Sequence, residues 1–187
     1  TFAGGANFSG PPAVGIDMDE DSEAIAQRTA ETLRDAGATV AVAEAATGGL
    51  VATLLTGPPG ASDYFDRGYV TYAYDSLREE LAVARETLDE HGAVSGPTVA
   101  AMARAARDRA RTDYGVATAA VAGPGGGTDE RPVGIAFVAV ATAEPWGSEA
   151  SGVTVERHEF DGDRSAVREQ VARQALGDLA AAVQATE

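Results

Sequence analysis

Two turns rich in glycine are the parts of this sequence best suited to bind and polarise a small ligand. The first spans residues 44–49 (Glu-Ala-Ala-Thr-Gly-Gly) and the second spans residues 122–128 (Ala-Gly-Pro-Gly-Gly-Gly-Thr). Each follows a short apolar run that is typical of a buried strand. Glycine allows the backbone to approach a ligand closely, and successive backbone N–H groups attract phosphate or a developing oxyanion. Because ligands of α/β proteins bind beyond the carboxyl ends of strands, the sequence predicts one crevice bordered by both turns.

The composition excludes several familiar chemistries at such a crevice. All 14 lysine-or-arginine positions are arginine, so a Gly-Lys-Ser/Thr phosphate loop cannot form, and neither turn matches the Gly-x-Gly-x-x-Gly pattern of dinucleotide sites. The absence of cysteine excludes a thiolate nucleophile and cysteine-ligated zinc or iron–sulfur sites. The two histidines, His91 and His158, are predicted on different elements, so we predict neither a metal site nor a cofactor.

The charge balance is strongly acidic, with 29 aspartates and glutamates against 14 arginines and a net charge of -15. We interpret it as a halophilic type of adaptation, because a high negative charge keeps proteins soluble at high salt. It argues against a nucleic-acid partner, since binding to phosphates requires clustered Lys and Arg. No apolar run approaches the ~18 to 20 residues of a membrane helix, and no basic and apolar leader opens the chain. The sequence therefore predicts a cytoplasmic protein without a membrane partner.

Hydrophobic periodicity predicts a flexible tail over residues 1–20 and a single domain over residues 21–187. The predicted helices run from 21 to a stop at 37, and over 50–55, 76–83, 97–112 (capped by Ser95) and 164–183. The predicted strands cover 39–43, 68–74, 116–121, 134–142 and 153–160. This alternation predicts an α/β fold, a three-layer α/β/α sandwich with a mixed, mostly parallel sheet of about five strands. The last two strands should form a hairpin, because no helix separates them.

Five short motifs lie in a fixed order between about residue 21 and the end of the chain. They are Ala43-Glu44-x-x-Thr47-Gly48-Gly49, Pro59-Gly60-Ala61-Ser62 with Phe65 and Gly68, His91-Gly92-Ala93-Val94-Ser95, Ala122 to Thr128 followed by Pro132-Val133-Gly134, and Phe160-x-Gly162-Asp163-Arg164 with Arg168. Together these motifs resemble the C-terminal domain family of the competence/damage-inducible protein CinA, which includes nicotinamide mononucleotide amidohydrolases of the PncC type. The resemblance implies a three-layer α/β/α fold and hydrolysis of the carboxamide of nicotinamide mononucleotide to the acid plus ammonia.

The chain departs from the family pattern at the residues that the resemblance makes catalytic. The usual first motif is Ala-Glu-Ser-x-Thr-Gly-Gly, with the serine as nucleophile, and Ala45 stands at that position here. The usual Tyr-Ser-Asn-x-x-Lys segment reads Tyr-Ala-Tyr-Asp-Ser-Leu at residues 72–77, so Leu77 stands where the family has its lysine. Alanine cannot act as a nucleophile, and leucine cannot deprotonate one. Backbone N–H donors over residues 47–49 do not depend on these side chains, so ligand binding could be retained where catalysis is lost.

Three functions remain open at this point. The first is a catalytically degenerate family member, a pseudoenzyme that still binds a pyridine nucleotide or a similar small anion. The second is an active nicotinamide mononucleotide deamidase that uses water or a displaced hydroxyl, with Glu44, Thr47 and Tyr72 as the catalytic candidates. The third is a non-catalytic assembly subunit, and the sequence leaves self-association into a homo-oligomer open.

The catalytic candidates also have structural interpretations. Thr47 is predicted to cap the following helix and Ser62 to lie in a turn, while Glu44 could simply hydrogen-bond to neighbouring backbone. The predicted ligand-binding residues are Thr47, Gly48, Gly49, Tyr72, Gly123, Pro124, Gly125, Gly126, Gly127 and Thr128.

Overall fold

The computed structural model describes residues 19–143 and 152–186, so most of the predicted tail lies outside the described residues. The helices are α1 (Glu20–Asp35), α2 (Leu50–Thr56), α3 (Tyr74–Leu81), α4 (Arg85–His91), α5 (Gly96–Ala110) and α6 (Arg164–Thr186), with a short 3₁₀ helix at Ala61–Asp63. The strands are β1 (Val40–Glu44), β2 (Phe65–Val70), β3 (Tyr114–Ala120), β4 (Ile135–Thr142) and β5 (Val153–Glu159).

The five strands form one mixed sheet in the order β2-β1-β3-β4-β5. Strand β1 pairs in parallel with β2 and β3, whereas β4 is antiparallel to both β3 and β5. Four of the five strands therefore point the same way and only β4 runs against them. The predicted mixed sheet and the closing hairpin are confirmed.

Helices cover both faces of the sheet, which gives the predicted three-layer α/β/α sandwich. On one face, Val40 and Val42 of β1 pack with buried residues of α1, α2 and α6. On the other face, Ala41 and Ala43 pack with buried residues of α3, α4 and α5. Side chains along β1 alternate between the two faces of the sheet, so adjacent residues of this strand belong to different hydrophobic clusters. Because β1 is buried on both faces, it reads as the continuous apolar run Val-Ala-Val-Ala.

Side-chain caps fix the beginnings of two helices that pack on this sheet. Ser95 accepts a hydrogen bond from the Thr98 N–H at 3.4 Å at the start of α5, as predicted. Asp19 caps α1 by accepting from the Ser22 N–H at 2.7 Å, and this hydrogen bond lowers the pKa of the Asp19 carboxyl. Asp19 also accepts a hydrogen bond from Arg173 at 2.7 Å, which ties α1 to α6.

The segment after β2 differs from its prediction as a strand over 68–74. Strand β2 ends at Val70, and Tyr74 is the first residue of α3. The Ser76 hydroxyl bonds to both the N–H and the C=O of Ala73, which turns the chain into α3. Aromatic and β-branched residues favour strands, yet here Tyr72 and Tyr74 lie exposed beyond the strand end. Helix α4 was not predicted, because Leu88 is its one buried residue and gives no periodic signal.

Candidate functional site

The carboxyl ends of three neighbouring strands lie side by side at one edge of the sheet. Glu44, the last residue of β1, is in register with Val70 on β2 and with Thr118 on β3. The turns that follow these strands cover residues 45–49 and 71–73, and the glycine loop follows β3. The two predicted turns and Tyr72 therefore lie at the same edge of the sheet, where the sequence predicts the ligand crevice. This is the edge at which α/β folds bind ligands.

The Glu44 carboxylate is fully buried and holds the first turn of α2. Its Oε2 accepts hydrogen bonds from the N–H groups of Gly49 at 2.9 Å and Val51 at 3.1 Å, and its Oε1 accepts from Ala52 at 2.8 Å. Charge-assisted bonds of this kind are roughly twice as strong as neutral ones. Glu44 thus hydrogen-bonds to neighbouring backbone, which is the structural role that the sequence offered as an alternative to catalysis. With 0% exposure, the carboxylate does not face solvent water that it could activate.

Thr47 does not cap α2, and that prediction was wrong. The residue preceding the helix is Gly49, in the left-handed region with φ of 99°, and the capping acceptor is Glu44 from the preceding strand. The Thr47 hydroxyl instead lies 2.8 Å from the hydroxyl of Thr118 on β3, and both residues are buried. Thr47 therefore joins the first turn to β3, with its hydroxyl engaged rather than free to attack a ligand.

Two consecutive backbone N–H groups in the first turn lack a hydrogen-bond partner among the described residues. The Gly48 N–H donates to the Ala45 carbonyl at 3.2 Å, and the Gly49 N–H donates to Glu44. Within the described part of the chain, the N–H groups of Ala46 and Thr47 have no hydrogen-bond acceptor, although both residues are buried. Buried N–H groups are paired in the great majority of cases. Of the two residues, Ala46 is 9% exposed at this edge of the sheet, whereas Thr47 is 0% exposed.

Ala45 and Leu77 belong to one hydrophobic cluster beside these donors. Leu77 is 1% exposed and lies among the buried residues between the sheet and helices α3 to α5. Ala45 is partly buried and packs against the same cluster. The positions that the family resemblance assigns to a serine nucleophile and a lysine base thus share one face of the sheet. In this chain both positions carry hydrocarbon side chains.

Thr71 carries a buried hydroxyl that has no hydrogen-bond partner among the described residues. Its N–H donates to the Glu44 carbonyl at 2.8 Å, which fixes the residue at the end of β2, and the residue is 1% exposed. Thr71 continues the alternation of Tyr69, which packs in the cluster that includes Leu77. An unpaired hydroxyl therefore lies on the face of the sheet that carries Ala45 and Leu77.

The Thr71→Val substitution is expected to stabilise the protein by about 1 kcal/mol, because it removes an unpaired buried polar group while keeping the side-chain shape. Thr47→Val is the matched control, since it makes the same change at a hydroxyl that has a partner, and it should destabilise the protein by about 1 kcal/mol. Denaturant unfolding of both variants and the parent measures the difference. Equal destabilisation by both substitutions would contradict the unpaired state of the Thr71 hydroxyl.

Arg164 connects Tyr72, which follows β2, to the glycine loop that follows β3. Its Nη2 donates to the Tyr72 hydroxyl at 2.8 Å and its Nη1 donates to the Gly123 carbonyl at 2.7 Å. Tyr72 is 67% exposed although its hydroxyl is anchored, so the ring lies open to a ligand. Tyr74 is also exposed and accepts a long hydrogen bond of 3.4 Å from the Ala93 N–H. The exposed aromatic rings at this edge are therefore held in place through their hydroxyl groups.

The glycine loop presents exposed backbone to the crevice beyond Gly123. Residues 124–130 are exposed, and a Cβ built on Gly125 or Gly126 would meet no other atom within 4 Å. The far end of the loop is closed by reciprocal backbone hydrogen bonds between Thr128 and Arg131. Arg131 also donates to the His91 carbonyl at 2.6 Å. The loop is thus anchored at both ends. Gly125 and Gly126 lie between the anchors with open space around them, whereas a Cβ on Gly127 would lie 2.9 Å from the backbone N of Val133.

Three arginines lie at this edge of an acidic protein, and two of them directly follow an acidic residue in the sequence. Arg131, Arg164 and Arg168 all hydrogen-bond to neutral groups, and no ion pair found between the described residues involves any of them. Clustered charge of one sign raises the local concentration of ligands of the opposite sign. The guanidinium groups are therefore the part of this edge that would attract an anion.

Other residues weighed as candidates lie elsewhere. Ser62 is in the 3₁₀ helix before β2 and lines a shallow pocket with Thr39 and Thr112 at the amino ends of the strands, opposite the crevice. His91 ends α4, whereas His158 lies on β5, with its ring stacked on Phe160. Across residues 19–143 and 152–186, no three His, Asp or Glu side chains are grouped to hold a metal ion, and no helix is both long and apolar enough to cross a membrane.

Comparison with known proteins agrees with the fold and the motifs. Residues 22–183 match the model of the CinA C-terminal domain. The chain belongs to this family. The nicotinamide-nucleotide amidohydrolase PncC of Escherichia coli K12 is 42% identical over 161 residues, which cover 86% of this chain and 94% of the relative. A CinA-like protein of Syntrophobacter fumaroxidans is 39% identical over 156 residues, but the match covers 35% of that longer protein. The competence/damage inducible protein of Agrobacterium tumefaciens is structurally similar, with a TM-score of 0.82, 37% identity and coverage of 90% of this chain and 98% of the other.

Sequence analysis missed several groups that line this CinA-family crevice. Arg164 and Arg168 were part of a recognised motif, yet nothing in their spacing showed that they reach turns more than 40 residues away. Thr71 directly follows a strand, which was the available signal, but an unpaired hydroxyl is visible only in three dimensions. The Ala46 N–H was missed because the donors were assigned to the glycines. A backbone N–H group can bind a ligand only where no neighbouring group already accepts its hydrogen bond.

Proposed function

We propose that this CinA-family domain binds a pyridine nucleotide, or a small anion of similar shape, in the crevice and does not hydrolyse it by serine chemistry. The proposal is supported by the Ala46 N–H group, which has no acceptor among the described residues, and by three arginines that form no ion pair with them. The likeness to PncC, which is named a nicotinamide-nucleotide amidohydrolase, supplies the class of ligand. The anchored ring of Tyr72 offers a face on which a planar pyridine could stack.

The proposal depends on one contrast: the first turn supplies hydrogen-bond donors, but the side chains beside it lack the groups that would react with an amide. Hydrolysis of an amide through a covalent intermediate needs an oxygen nucleophile, a base that deprotonates it and donors for the oxyanion. The turn supplies donors, but the side chains of Ala45 and Leu77 cannot supply the nucleophile or the base. The Thr47 hydroxyl is engaged with Thr118, and the Glu44 carboxylate is engaged with three N–H groups. Ligand binding is therefore the function that this set of groups supports best.

Calorimetric titration with nicotinamide mononucleotide in concentrated KCl tests the proposal. We expect saturable binding, together with ammonia release no faster than in a blank without protein. Nicotinamide riboside is the matched ligand because it lacks only the phosphate, and it should bind more weakly. Absence of binding up to about 5 mM nucleotide, where a Kd of about 1 mM would still be visible, would contradict the proposal.

Ammonia release separates this function from the active-enzyme alternative. Steady turnover that is abolished when the crevice is altered by Arg164→Met would favour a deamidase using water or a displaced hydroxyl. A slow residual rate alone would not, because donors and binding retain about 10³ to 10⁴ of acceleration over water in well-studied triads. The comparison therefore requires a rate that saturates with nucleotide and supports multiple turnovers.

A further inference from the structure

Arg168, on α6, hydrogen-bonds to two backbone carbonyls in the first turn of the crevice. Its Nε donates to the Ala46 carbonyl at 2.9 Å, and its Nη2 donates to the Thr47 carbonyl at 2.7 Å. Both bonds have a charged donor, and one rigid, planar guanidinium makes them both. They join residues more than 120 positions apart in the sequence. The contact therefore fixes two successive carbonyls of the turn in one direction, toward α6.

The direction of these carbonyls determines the direction of the N–H groups. In a planar trans peptide, the C=O of one residue and the N–H of the next point to opposite sides. Since the Ala46 carbonyl points to Arg168, the Thr47 N–H points away from Arg168. The Thr47 carbonyl also points to Arg168, and the Gly48 N–H correspondingly reaches the Ala45 carbonyl.

The conformation of Gly48 matches this arrangement. Its φ of 61° lies in the left-handed region, and a Cβ at this position would come within 3.2 Å of the Arg168 guanidinium. Glycine is therefore favoured both by the backbone angle and by the space that Arg168 occupies. Removal of the Arg168 side chain would leave the Ala46 carbonyl without its donor and the Thr47 carbonyl with the 3.4 Å hydrogen bond from the Leu50 N–H.

We propose that Arg168 is a positioning residue, which holds the Ala46–Thr47 and Thr47–Gly48 peptides so that the turn, with Gly48 exposed, keeps the backbone shape that a bound anion meets. Its role in ligand binding rests on the proposed function, whereas its role in orienting the peptides does not. Arg168 acts through the backbone and needs no contact with the ligand. Arg164, one helical turn earlier, has a different role because it bonds to Tyr72 and Gly123.

The test compares Arg168→Ala and Arg168→Lys with Arg173→Ala, a control on the same helix whose guanidinium bonds to Asp19 away from the crevice. Affinity for nicotinamide mononucleotide is measured by calorimetry. We expect Arg168→Ala to weaken binding about tenfold or more, since a turn without its anchor no longer presents one backbone shape to the ligand. Arg168→Lys should weaken it less, because one ammonium can still reach one carbonyl. Arg173→Ala should bind like the parent.

Hydrogen exchange in the ligand-free proteins separates positioning from binding. The Gly48 amide should exchange faster in Arg168→Ala than in the parent or Arg173→Ala, while the amide of Val42 in the core exchanges as before. Methylguanidinium should slow this exchange again by filling the vacated position. An unchanged Gly48 amide, or unchanged affinity in Arg168→Ala, would overturn the proposal. If the parent fails to bind the nucleotide, the proposed function fails, and Gly48 exchange still decides whether Arg168 orients the turn.

Discussion

Replacing Glu44 with alanine is expected to lower the free energy of unfolding by about 3 to 5 kcal/mol. The substitution leaves the N–H groups of Gly49, Val51 and Ala52 buried without their acceptor, and it removes the negative charge at the first turn of α2. Glu44→Gln should cost about half as much, because the amide keeps one acceptor oxygen and turns an NH₂ group toward the remaining donors. Denaturant unfolding followed by circular dichroism in concentrated KCl measures both effects.

Glu80→Ala is the matched control for Glu44. Glu80 is exposed on α3, so its removal should change the free energy of unfolding by no more than about 0.5 kcal/mol. If Glu44→Ala cost no more than Glu80→Ala, the buried carboxylate would not be the cap that secures α2. A large loss in Glu44→Ala with a small loss in Glu44→Gln would show that one acceptor is enough to hold the turn.

The double substitution Ala45→Ser with Leu77→Lys is expected to give the domain amidohydrolase activity that neither single substitution gives. An unactivated serine is a poor nucleophile, so both groups are needed. Leu77 is 1% exposed, and burial lowers the pKa of a lysine amine toward the neutral form that can accept a proton. The same burial makes Leu77→Lys destabilising by several kcal/mol, because the site is hydrophobic.

Ammonia release from nicotinamide mononucleotide measures the gain, with circular dichroism confirming that each variant is folded. Ala45→Ser with Leu77→Met is the control, since it introduces the serine and preserves the side-chain volume but supplies no base. A folded double variant that stays as inactive as this control would contradict the assignment of positions 45 and 77 to nucleophile and base. Equal activity in the parent and the double variant would contradict the proposed loss of catalysis.

Local sequence pattern was sufficient to predict most of the fold. The apolar run of β1, the Ser95 cap of α5 and the strand pair β4 and β5 are each set by a few adjacent residues. The failures have physical causes. Tyr72 and Tyr74 have strand-type side chains but are anchored by Arg164 and by the Ala93 N–H after the strand has ended. Helix α4 buries one leucine, so its pattern resembles that of a loop.

The site was predicted less completely because its contacts are long-range. The sequence located the two turns and Tyr72, since glycines after strands have a general meaning in α/β folds. It could not show that Glu44 rather than Thr47 caps α2, because both oxygens occur within the same short motif. Nor could the sequence show that Arg168 donates hydrogen bonds to the carbonyls of Ala46 and Thr47. Such pairings depend on how α6 packs across the sheet.

The dependence of the crevice on α6 has a consequence for how the domain matures on the ribosome. The turns after β1, β2 and β3 are synthesised before residue 135, but the arginines that join them belong to the last helix. A chain leaves the ribosome amino terminus first, and a domain generally folds as a unit. The strands and turns can therefore emerge early, whereas the ligand crevice acquires its final shape only after α6 has left the exit tunnel. A nascent chain stalled before Arg164 would carry both glycine turns and still lack an organised crevice.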